Sequence, residues 1–301
     1  MYDLIIIGAG PAGLTAGLYA GRYRLNTLIL EMLNPGGRIL ATETIENFPG
    51  FTGSVATKDL MSNLEKQVRD LGVEIELTEA LELDVHSKVV RCENKSYQAN
   101  TVIIATGAKP RKLQVPGEDR LTGRGVSYCA TCDGPLYRDK EVVVVGGGNA
   151  AVEEALYLTR FAKSVNLVHR RDQLRATKIL QEKIKANKKI APVLNSLVTE
   201  ISGTNRVESV KVRDAVTQKE QTIDCQGIFI YVGNVPNTAF IKGELESDSQ
   251  GFIITNEELG ASQQGIFACG DCRKKTLYQV ITACAEGATA ADSAQRYLLN
   301  K

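Results

Sequence analysis

The sequence predicts an α/β fold made of two Rossmann-like dinucleotide-binding domains. A glycine fingerprint occurs twice, at residues 8–13 (GAGPAG) and 146–151 (GGGNAA), and each copy follows an apolar run and opens a helical pattern. A second repeat supports a duplication, because residues 101–107 and 227–233 are both apolar runs that end in glycine, with a proline at the third position beyond. These observations indicate that one nucleotide-binding module is used twice.

The elements of each module follow from its hydrophobic pattern. Residues 2–7 (YDLIII) are typical of a parallel strand covered on both faces, and the glycine turn, a helix over about 12–22 and a strand over 26–31 follow. The second module repeats this order. Residues 141–145 (EVVVV) predict a strand, and after the glycine turn a helix near 150–161 leads to a strand over 164–168.

A third strand-to-glycine segment indicates how the modules are connected. Residues 265–269 (GIFAC) run into Gly270 and Asp271, but no fingerprint follows them. The final segment is therefore expected to return and complete the first domain, with the second module inserted into it. The predicted boundaries give residues 1–114 and 244–301 to the first domain and 115–243 to the second, with crossings near 112–118 and 240–246.

Composition and charge are those of an ordinary globular protein. At 301 residues the chain lies where single cores start to divide, and its net charge of +1 gives no reason to expect nucleic acid or a membrane as a partner. No cationic region precedes the first strand, so no targeting segment is expected, and a cytoplasmic location is expected. Seven cysteines, an odd number, do not suggest a secreted disulfide framework in a chain this long.

Side chains of opposite charge follow the two glycine turns at the same offset. Glu31 follows the first turn, and His169-Arg170-Arg171 follows the second, with Arg175 one helical turn later. At the end of the second strand, a carboxylate hydrogen-bonds a free ribose 2′-hydroxyl, whereas arginines accommodate a 2′-phosphate. The sequence therefore predicts one plain and one phosphorylated dinucleotide, NADPH rather than NADH in the second site, and electron transfer between the two.

Cys129 and Cys132 form a CxxC pair before the strand at 141–145, and three interpretations of it are open. A structural zinc site needs four ligands, and only Cys269, Cys272 and two scattered histidines could complete it. The second interpretation is that the two cysteines are an inert buried pair. A redox disulfide is favoured, because two intervening residues allow a strained, easily reduced ring with one ionised thiol. Asp133 is placed to shuttle a proton to or from a thiolate, and a turn role for it stays open.

These motifs resemble those of the low-molecular-weight, flavin-dependent thioredoxin reductases, which are class II pyridine nucleotide-disulfide oxidoreductases. The resemblance runs essentially from end to end of the chain. Its most specific pieces are residues 129–134 (CATCDG) and 169–176 (HRRDQLRA). Residues 46–50 (ENFPG), Gly270-Asp271 and Gln279-Val280 also match.

The resemblance implies two cofactors, FAD and NADPH, and no metal. The residues implied for FAD are Gly8, Gly10, Pro11, Ala12, Gly13, Glu31, Gly36, Gly37, Arg38, Asn47, Thr106, Gly107, Gly270, Asp271, Gln279 and Val280. The residues implied for NADPH are Gly146, Gly148, Asn149, Ala150, Ala151, His169, Arg170, Arg171 and Arg175.

The resemblance also implies the reaction and the assembly. Electrons would pass from NADPH through FAD to the Cys129/Cys132 disulfide, and Cys129 would attack the disulfide of thioredoxin or a thioredoxin-like protein. Cys132 would resolve the mixed disulfide, with Asp133 as the acid/base. A rotation of the inserted domain and a symmetric homodimer are implied as well.

Four residues depart from the family pattern. Arg38 stands where glutamine is common beside the flavin, and its fixed positive charge is expected to favour reduced, anionic flavin. Asn149-Ala150 replaces the usual Asp-Ser, and Tyr278 replaces an arginine often found there.

Three alternatives remain open at the level of the sequence. The first is a flavin disulfide reductase that uses another electron donor, NADH or ferredoxin, against which the basic cluster argues. The second is a nucleotide-responsive binding module, against which the intact CxxC argues. The third is a second redox pair among Cys269, Cys272 and Cys284, for which small buried side chains are the simpler interpretation.

Overall fold

The chain divides into two compact units in the structure, a computed structural model that describes residues 1–41, 44–45, 47–241 and 243–300, without the side chains of residues 41, 131 and 132. Unit 1 consists of Met1–Lys109 and Val235–Lys301, and unit 2 of Pro110–Asn234. Unit 2 is therefore an insertion in unit 1. None of the described helices is long and apolar enough to cross a membrane.

The first part of unit 1 alternates strands with two helices. Its elements in chain order are β1 (Tyr2–Ile7), α1 (Pro11–Arg22), β2 (Thr27–Glu31), β3 (Thr44–Ile45), β4 (Val55–Ala56), α2 (Thr57–Asp70), β5 (Glu74–Leu77), β6 (Glu82–Asp84), β7 (Val89–Arg91), β8 (Ser96–Ile104) and β9 (Ala108–Pro110).

Unit 2 and the return into unit 1 follow. The elements of unit 2 are α3 (Glu118–Leu121), β10 (Val126–Ser127), α4 (Ala130–Asp133), β11 (Glu141–Val145), α5 (Asn149–Leu158), β12 (Ser164–Val168), α6 (Lys178–Ala186), β13 (Ile190–Val193), β14 (Ser196–Ser202), β15 (Ser209–Asp214), β16 (Glu220–Asp224) and β17 (Gly227–Ile230). The remaining elements are β18 (Asn234–Pro236), β19 (Ile266–Ala268) and α7 (Val280–Leu299).

The sheet of unit 1 has the order β5-β2-β1-β8-β7-β6, and β19 also pairs with β8. Strands β5, β2, β1, β8 and β19 are parallel, whereas β6 and β7 extend the sheet in antiparallel fashion. The side chains of Leu4 and Ile6 pack into one buried cluster and those of Ile5 and Ile7 into another. This two-sided burial explains why β1 is apolar at consecutive positions.

The sheet of unit 2 is parallel, in the order β10-β17-β11-β12-β13, and β14, β15 and β16 form a separate antiparallel sheet. Phe229 of β17 is fully buried, and its ring packs edge-on against Tyr137 with 5.1 Å between the ring centroids. The parallel sheet requires crossover connections, and the helices α5 and α6 provide two of them.

The predicted fold class of two Rossmann-like domains is confirmed. The first strand and the strand at 164–168 lie at the predicted residues, whereas the helix predicted over 150–161 ends at Leu158. The chain crosses between units after Lys109 and after Asn234, on the N-terminal side of both predicted crossings. At these points β9 pairs with β18, a short polar pairing that the hydrophobic pattern does not mark.

Candidate functional site

The chemistry-bearing residues of unit 1 gather at one edge of its sheet. The glycine turn follows β1, Glu31 ends β2, Thr106 and Gly107 follow β8, and Gly270 follows β19. Because these strands are parallel, their carboxyl ends meet at the same edge, which is where ligands bind in open α/β sheets.

The turn between β1 and α1 leaves no room for a side chain at Gly8 or at Gly13. Gly8 has φ +105°, and a Cβ atom there would lie 2.5 Å from the carbonyl oxygen of Ala105. A Cβ atom on Gly13 would collide with the carbonyl oxygen of Gly8. Helix α1 begins after Gly10, with Pro11 in its first turn and no side-chain cap. Its first N–H groups therefore remain open for an anion.

Glu31 ties this turn to the segment after β2. Its Oε2 accepts a hydrogen bond from the amide of Ala9 at 2.7 Å, and its Oε1 accepts one from the amide of Leu33 at 3.1 Å. The amide of Gly36 donates to the carbonyl oxygen of Ala9 at 2.8 Å, which brings Gly36 and Gly37 beside the turn. Arg38 lies in a short 3₁₀ helix, Gly37–Ala41.

Asn237 braces the end of β8, a contact that the sequence did not predict. Its amide group donates to the carbonyl oxygen of Thr106 at 2.9 Å, and the hydroxyl of Thr106 donates to the carbonyl oxygen of Asn237 at 2.7 Å. The backbone amide of Asn237 also donates to the carbonyl oxygen of Gly107 at 3.0 Å. These three bonds fix residues 106 and 107 at the edge of the sheet.

A group of charged side chains holds the turn at Gly270, and its centre is a second residue that the sequence did not predict, Glu286 of α7. Glu286 accepts a hydrogen bond from the amide of Gly270 at 2.8 Å and pairs with Arg273 at 2.9 Å and with Lys275 at 3.3 Å. Lys275 also lies 3.2 Å from Oδ1 of Asp271. This buried Oδ1 has no hydrogen-bond partner among the described residues, so it is available to a ligand.

Helix α7 begins beside Asn47. The side-chain amide of Asn47 donates to Oε1 of Gln279 at 2.8 Å, and Gln279 and Thr282 form a reciprocal capping box. Val280 is the first residue of the helix, and its first turn carries no acidic side chain. The structure thus brings Asn47 beside Gln279, 232 positions later in the sequence, and so to the positive end of the long helix that Val280 begins.

In unit 2 the same rule assembles a second edge. The second glycine turn follows β11, His169 follows β12, Tyr231 follows β17, and Tyr128 and Cys129 follow β10. All four strands are parallel, so these residues lie at the carboxyl edge of one sheet.

The second glycine turn is packed against the basic segment that follows β12. A Cβ atom on Gly147 would collide with the imidazole ring of His169. The carbonyl oxygen of Gly147 accepts hydrogen bonds from the amides of Arg175 at 2.6 Å and Ala176 at 3.0 Å. Asn149, the first residue of α5, accepts one from the amide of Thr177 at 2.9 Å.

The start of α5 differs from its surroundings in being open. A Cβ atom on Gly148 would meet nothing within 4 Å, and the helix has no side-chain cap there. Ala150 is exposed, whereas Ala151 is buried beside Gly146. The open amides at this end can receive an anion, as at α1.

His169 and the arginines of the cluster lie in different environments. His169 is only 5% exposed, its Nε2 has no hydrogen-bond partner among the described residues, and burial together with Arg175, Arg171 and Arg170 lowers its pKa. The three arginines are exposed, and in the described part of the chain none pairs with a carboxylate. The sequence grouped all four residues, but only the arginines present an accessible positive charge.

Cys129 is half-buried and disulfide-bonded. Its amide donates to Oγ of Ser127 at 3.0 Å, and the next amide, of Ala130, donates to the hydroxyl of Tyr231 at 2.7 Å. The amide of Asp133 donates to the carbonyl oxygen of Cys129 at 3.2 Å, so Asp133 closes the single turn α4. The side chain of Cys132 lies outside the described residues.

The other cysteines are free thiols, namely Cys92, Cys225, Cys269, Cys272 and Cys284. Burial raises the pKa of each of them, and that of Cys272 to about 11. Cys272 donates to the carbonyl oxygens of Ile104 and Cys269. These surroundings disfavour thiolates and favour a packing role over a second redox pair. Among the described residues no group of three or more metal-ligating side chains occurs.

Comparison with known proteins identifies the family. Residues 2–287 match the pyridine nucleotide-disulphide oxidoreductases, so the chain belongs to this family. A thioredoxin reductase of Peptoclostridium acidaminophilum is 43% identical over 99% of this chain and 97% of that protein. One of Bacillus subtilis is 44% identical, over 99% of this chain and 95% of that protein. The crystal structure of the Lactococcus lactis thioredoxin reductase matches with 40% identity and a TM-score of 0.94, covering 100% of both chains. The resemblance inferred from the motifs is confirmed.

The neighbouring glycines of the second turn provide a matched test of its packing. Gly147→Ala should lower the stability of the ligand-free protein by about 1–3 kcal/mol, because the new methyl group meets the imidazole ring of His169. Gly148→Ala, where the methyl group meets open space, should leave that stability unchanged. Chemical denaturation of both variants measures the difference, and equal stabilities would contradict the packing described.

The lowered pKa of His169 predicts a pH-dependent stability. The pKa of His169 is near 6.5 in the unfolded chain and lower in the native state. At a pH between these two values the native state therefore binds fewer protons than the unfolded state. As a result, the free energy of unfolding falls as the pH drops below 6.5. His169→Gln should flatten this slope, whereas His86→Gln, at the exposed second histidine, should keep it. Denaturation curves across this pH range measure the slope, and a slope unaffected by His169→Gln would refute the assignment.

Proposed function

We propose that this chain is an NADPH-dependent thioredoxin reductase, which uses FAD and the Cys129/Cys132 disulfide to reduce the disulfide of thioredoxin or a thioredoxin-like protein. The observation that carries the proposal is the position of Cys129. It is disulfide-bonded and lies at the sheet edge that also carries an open glycine turn and three unpaired arginines. The end-to-end similarity to thioredoxin reductases supports the same activity.

The residues of unit 1 fit FAD. The family uses FAD and NADPH, and unit 1 offers uncapped amides at α1, a carboxylate at Glu31 and the Oδ1 of Asp271, which pairs with Lys275 but accepts no hydrogen bond from the described residues. Amides suit a pyrophosphate, and carboxylates suit ribose and ribityl hydroxyls. We therefore assign to FAD the sixteen residues that the sequence predicted, from Gly8 to Val280, including Arg38, whose charge would favour anionic flavin. Asn237 and Glu286 support this site, because they hold Thr106 and Gly270 in place.

The residues of unit 2 fit NADPH. The uncapped amides of α5 suit the pyrophosphate, and the guanidinium groups of Arg170, Arg171 and Arg175 suit a 2′-phosphate, which arginine binds in bidentate fashion. We assign to this site also Gly146, Gly148 and residues 149–151. His169 belongs to it as a support of the turn rather than as a charged ligand. When bound, NADPH and FAD together supply the electron pair that reduces the disulfide of this chain.

The thiols then exchange with the partner. The Cys129 thiolate attacks one sulfur of the thioredoxin disulfide, and the other sulfur leaves as a thiolate. The Cys132 thiolate attacks Cys129 in this mixed disulfide, which releases the second thiol of thioredoxin and restores the disulfide. Asp133, one turn from Cys129, would move the protons. Two electrons and two protons reach thioredoxin in each cycle.

Assembly and location complete the proposal. We infer a symmetric homodimer, as the family resemblance implies, and a cytoplasmic location, which five free thiols among the described cysteines support because reducing compartments keep thiols unpaired. Light scattering of the purified holoprotein would show twice the chain mass for the dimer, and the chain mass alone would exclude it.

The CxxC assignment predicts the outcome of two serine variants. Cys129→Ser and Cys132→Ser should each abolish thioredoxin reduction, because neither leaves a dithiol, while NADPH still bleaches the flavin absorbance. The matched control is Cys225→Ser, which changes a buried free thiol of the same unit. Thiol formation from thioredoxin measures the activity, and its survival in both CxxC variants would refute the proposed relay.

The basic cluster predicts the choice of electron donor. Arg171→Ala should raise the KM for NADPH about tenfold or more, the loss expected for one charge-assisted hydrogen bond, and leave the KM for NADH unchanged. Arg213→Ala, at an exposed arginine of β15, should change neither. Flavin bleaching with NADPH, NADH and reduced ferredoxin measures the preference. Bleaching by ferredoxin but not NADPH would favour the alternative donor.

A further inference from the structure

Glu118 is a buried acid of unit 2 that the proposed chemistry does not use. It is 1% exposed and lies at the start of α3, after the chain has entered the unit. Its Oε1 accepts hydrogen bonds from the amide of Leu113 at 2.9 Å and from the hydroxyl of Tyr128 at 2.7 Å, and its Oε2 accepts one from the amide of Gln114 at 2.6 Å. Three donors on a buried carboxylate form a strong anchor.

The backbone of Gln114 adopts an unusual conformation at its contact with Glu118. Gln114 has φ +60°, a left-handed conformation that is strained for a residue with a side chain. In this conformation its amide reaches Glu118. Burial and the bond to Glu118 raise the pKa of the Tyr128 hydroxyl well above its usual value, so this hydroxyl stays a donor at neutral pH.

Tyr128 directly precedes Cys129, and the segment around the cysteine is held at three successive places. Ser127 accepts from the amide of Cys129, Tyr128 is tied to Glu118, and Tyr231 accepts from the amide of Ala130. The Ser127 bond is local, whereas Glu118 and Tyr231 belong to other elements of the unit. The bond to Glu118 therefore adds a second restraint from outside the segment, beside that of Tyr231.

We propose that Glu118 and Tyr128 are positioning residues for Cys129, which hold the backbone from which its sulfur meets the partner disulfide. This role rests on the proposed function, since it assumes that Cys129 attacks another protein. The polar groups of the two residues bond to each other, and both residues act through the backbone of residues 127–130. Without the bond between Tyr128 and Glu118, the sulfur of Cys129 spends less time in the attacking orientation. The kcat for thioredoxin therefore falls, while the KM for thioredoxin changes less.

Tyr128→Phe is the deciding variant, because it removes one hydroxyl and leaves Glu118 its two backbone donors. The kcat for thioredoxin should fall about tenfold, with the KM for NADPH unchanged. Ferricyanide reduction, which draws electrons from the flavin without the disulfide, should also be unchanged. Hydrogen exchange in the peptide that covers residues 127–131 should become faster. Glu118→Gln should act in the same direction, since its amide group faces a backbone donor.

Tyr2→Phe is the matched control, because it removes a phenol that donates to the Glu74 carboxylate at 3.0 Å in unit 1. It should change none of these quantities. Unchanged thioredoxin kcat and unchanged hydrogen exchange in Tyr128→Phe would overturn the proposal, and so would an equal fall of ferricyanide reduction. Failure of the wild-type protein to reduce any thioredoxin would instead refute the proposed function, while hydrogen exchange would still report on the tether.

Discussion

The parallel pairing of strands is the constraint on which both candidate sites depend. In unit 1, β1 lies between β2 and β8, and in unit 2, β11 lies between β12 and β17. Parallel strands that start from the same side end at the same side, so residues separated by more than a hundred positions meet at one edge. Antiparallel pairing would send alternate loops to opposite edges and disperse the same residues. The chemistry of each unit is thus a consequence of its strand directions.

Short contacts then fix the positions of the residues that the parallel strand pairing brings to each sheet edge. In both units a glycine turn is pressed against a neighbouring group, the carbonyl oxygen of Ala105 in one and the ring of His169 in the other. Carboxylates fix the backbone at two other places, where Glu286 accepts from the amide of Gly270 and Glu118 accepts from the hydroxyl of Tyr128. The exposed arginines and Cys129 can face solvent because other residues make the contacts that hold the backbone in place. Binding and positioning therefore fall to different side chains.

The sequence predicted those parts of the molecule whose physics is local. Strand β1 and the glycine turn after it are visible because two-sided burial demands consecutive apolar residues and a tight strand-to-helix turn that approaches a pyrophosphate demands glycine. The supports were missed, since nothing near Glu118 in sequence indicates Tyr128, and nothing near Asn237 indicates Thr106. Such partners are chosen by tertiary packing. The crossings were displaced for a similar reason, because the short strands β9 and β18 pair through their backbones and leave little hydrophobic pattern.

The late position of β19 has a consequence for biosynthesis. Unit 2 is one continuous stretch and can fold as soon as it leaves the ribosome. Unit 1 must wait, because β19, which pairs with β8, and α7, which covers α1, are translated last. Until then one edge of β8 and the apolar face of α1 stay uncovered in the nascent chain. A premature stop codon between Val235 and Gly265 would therefore spare the inserted unit and leave the enclosing one without β19.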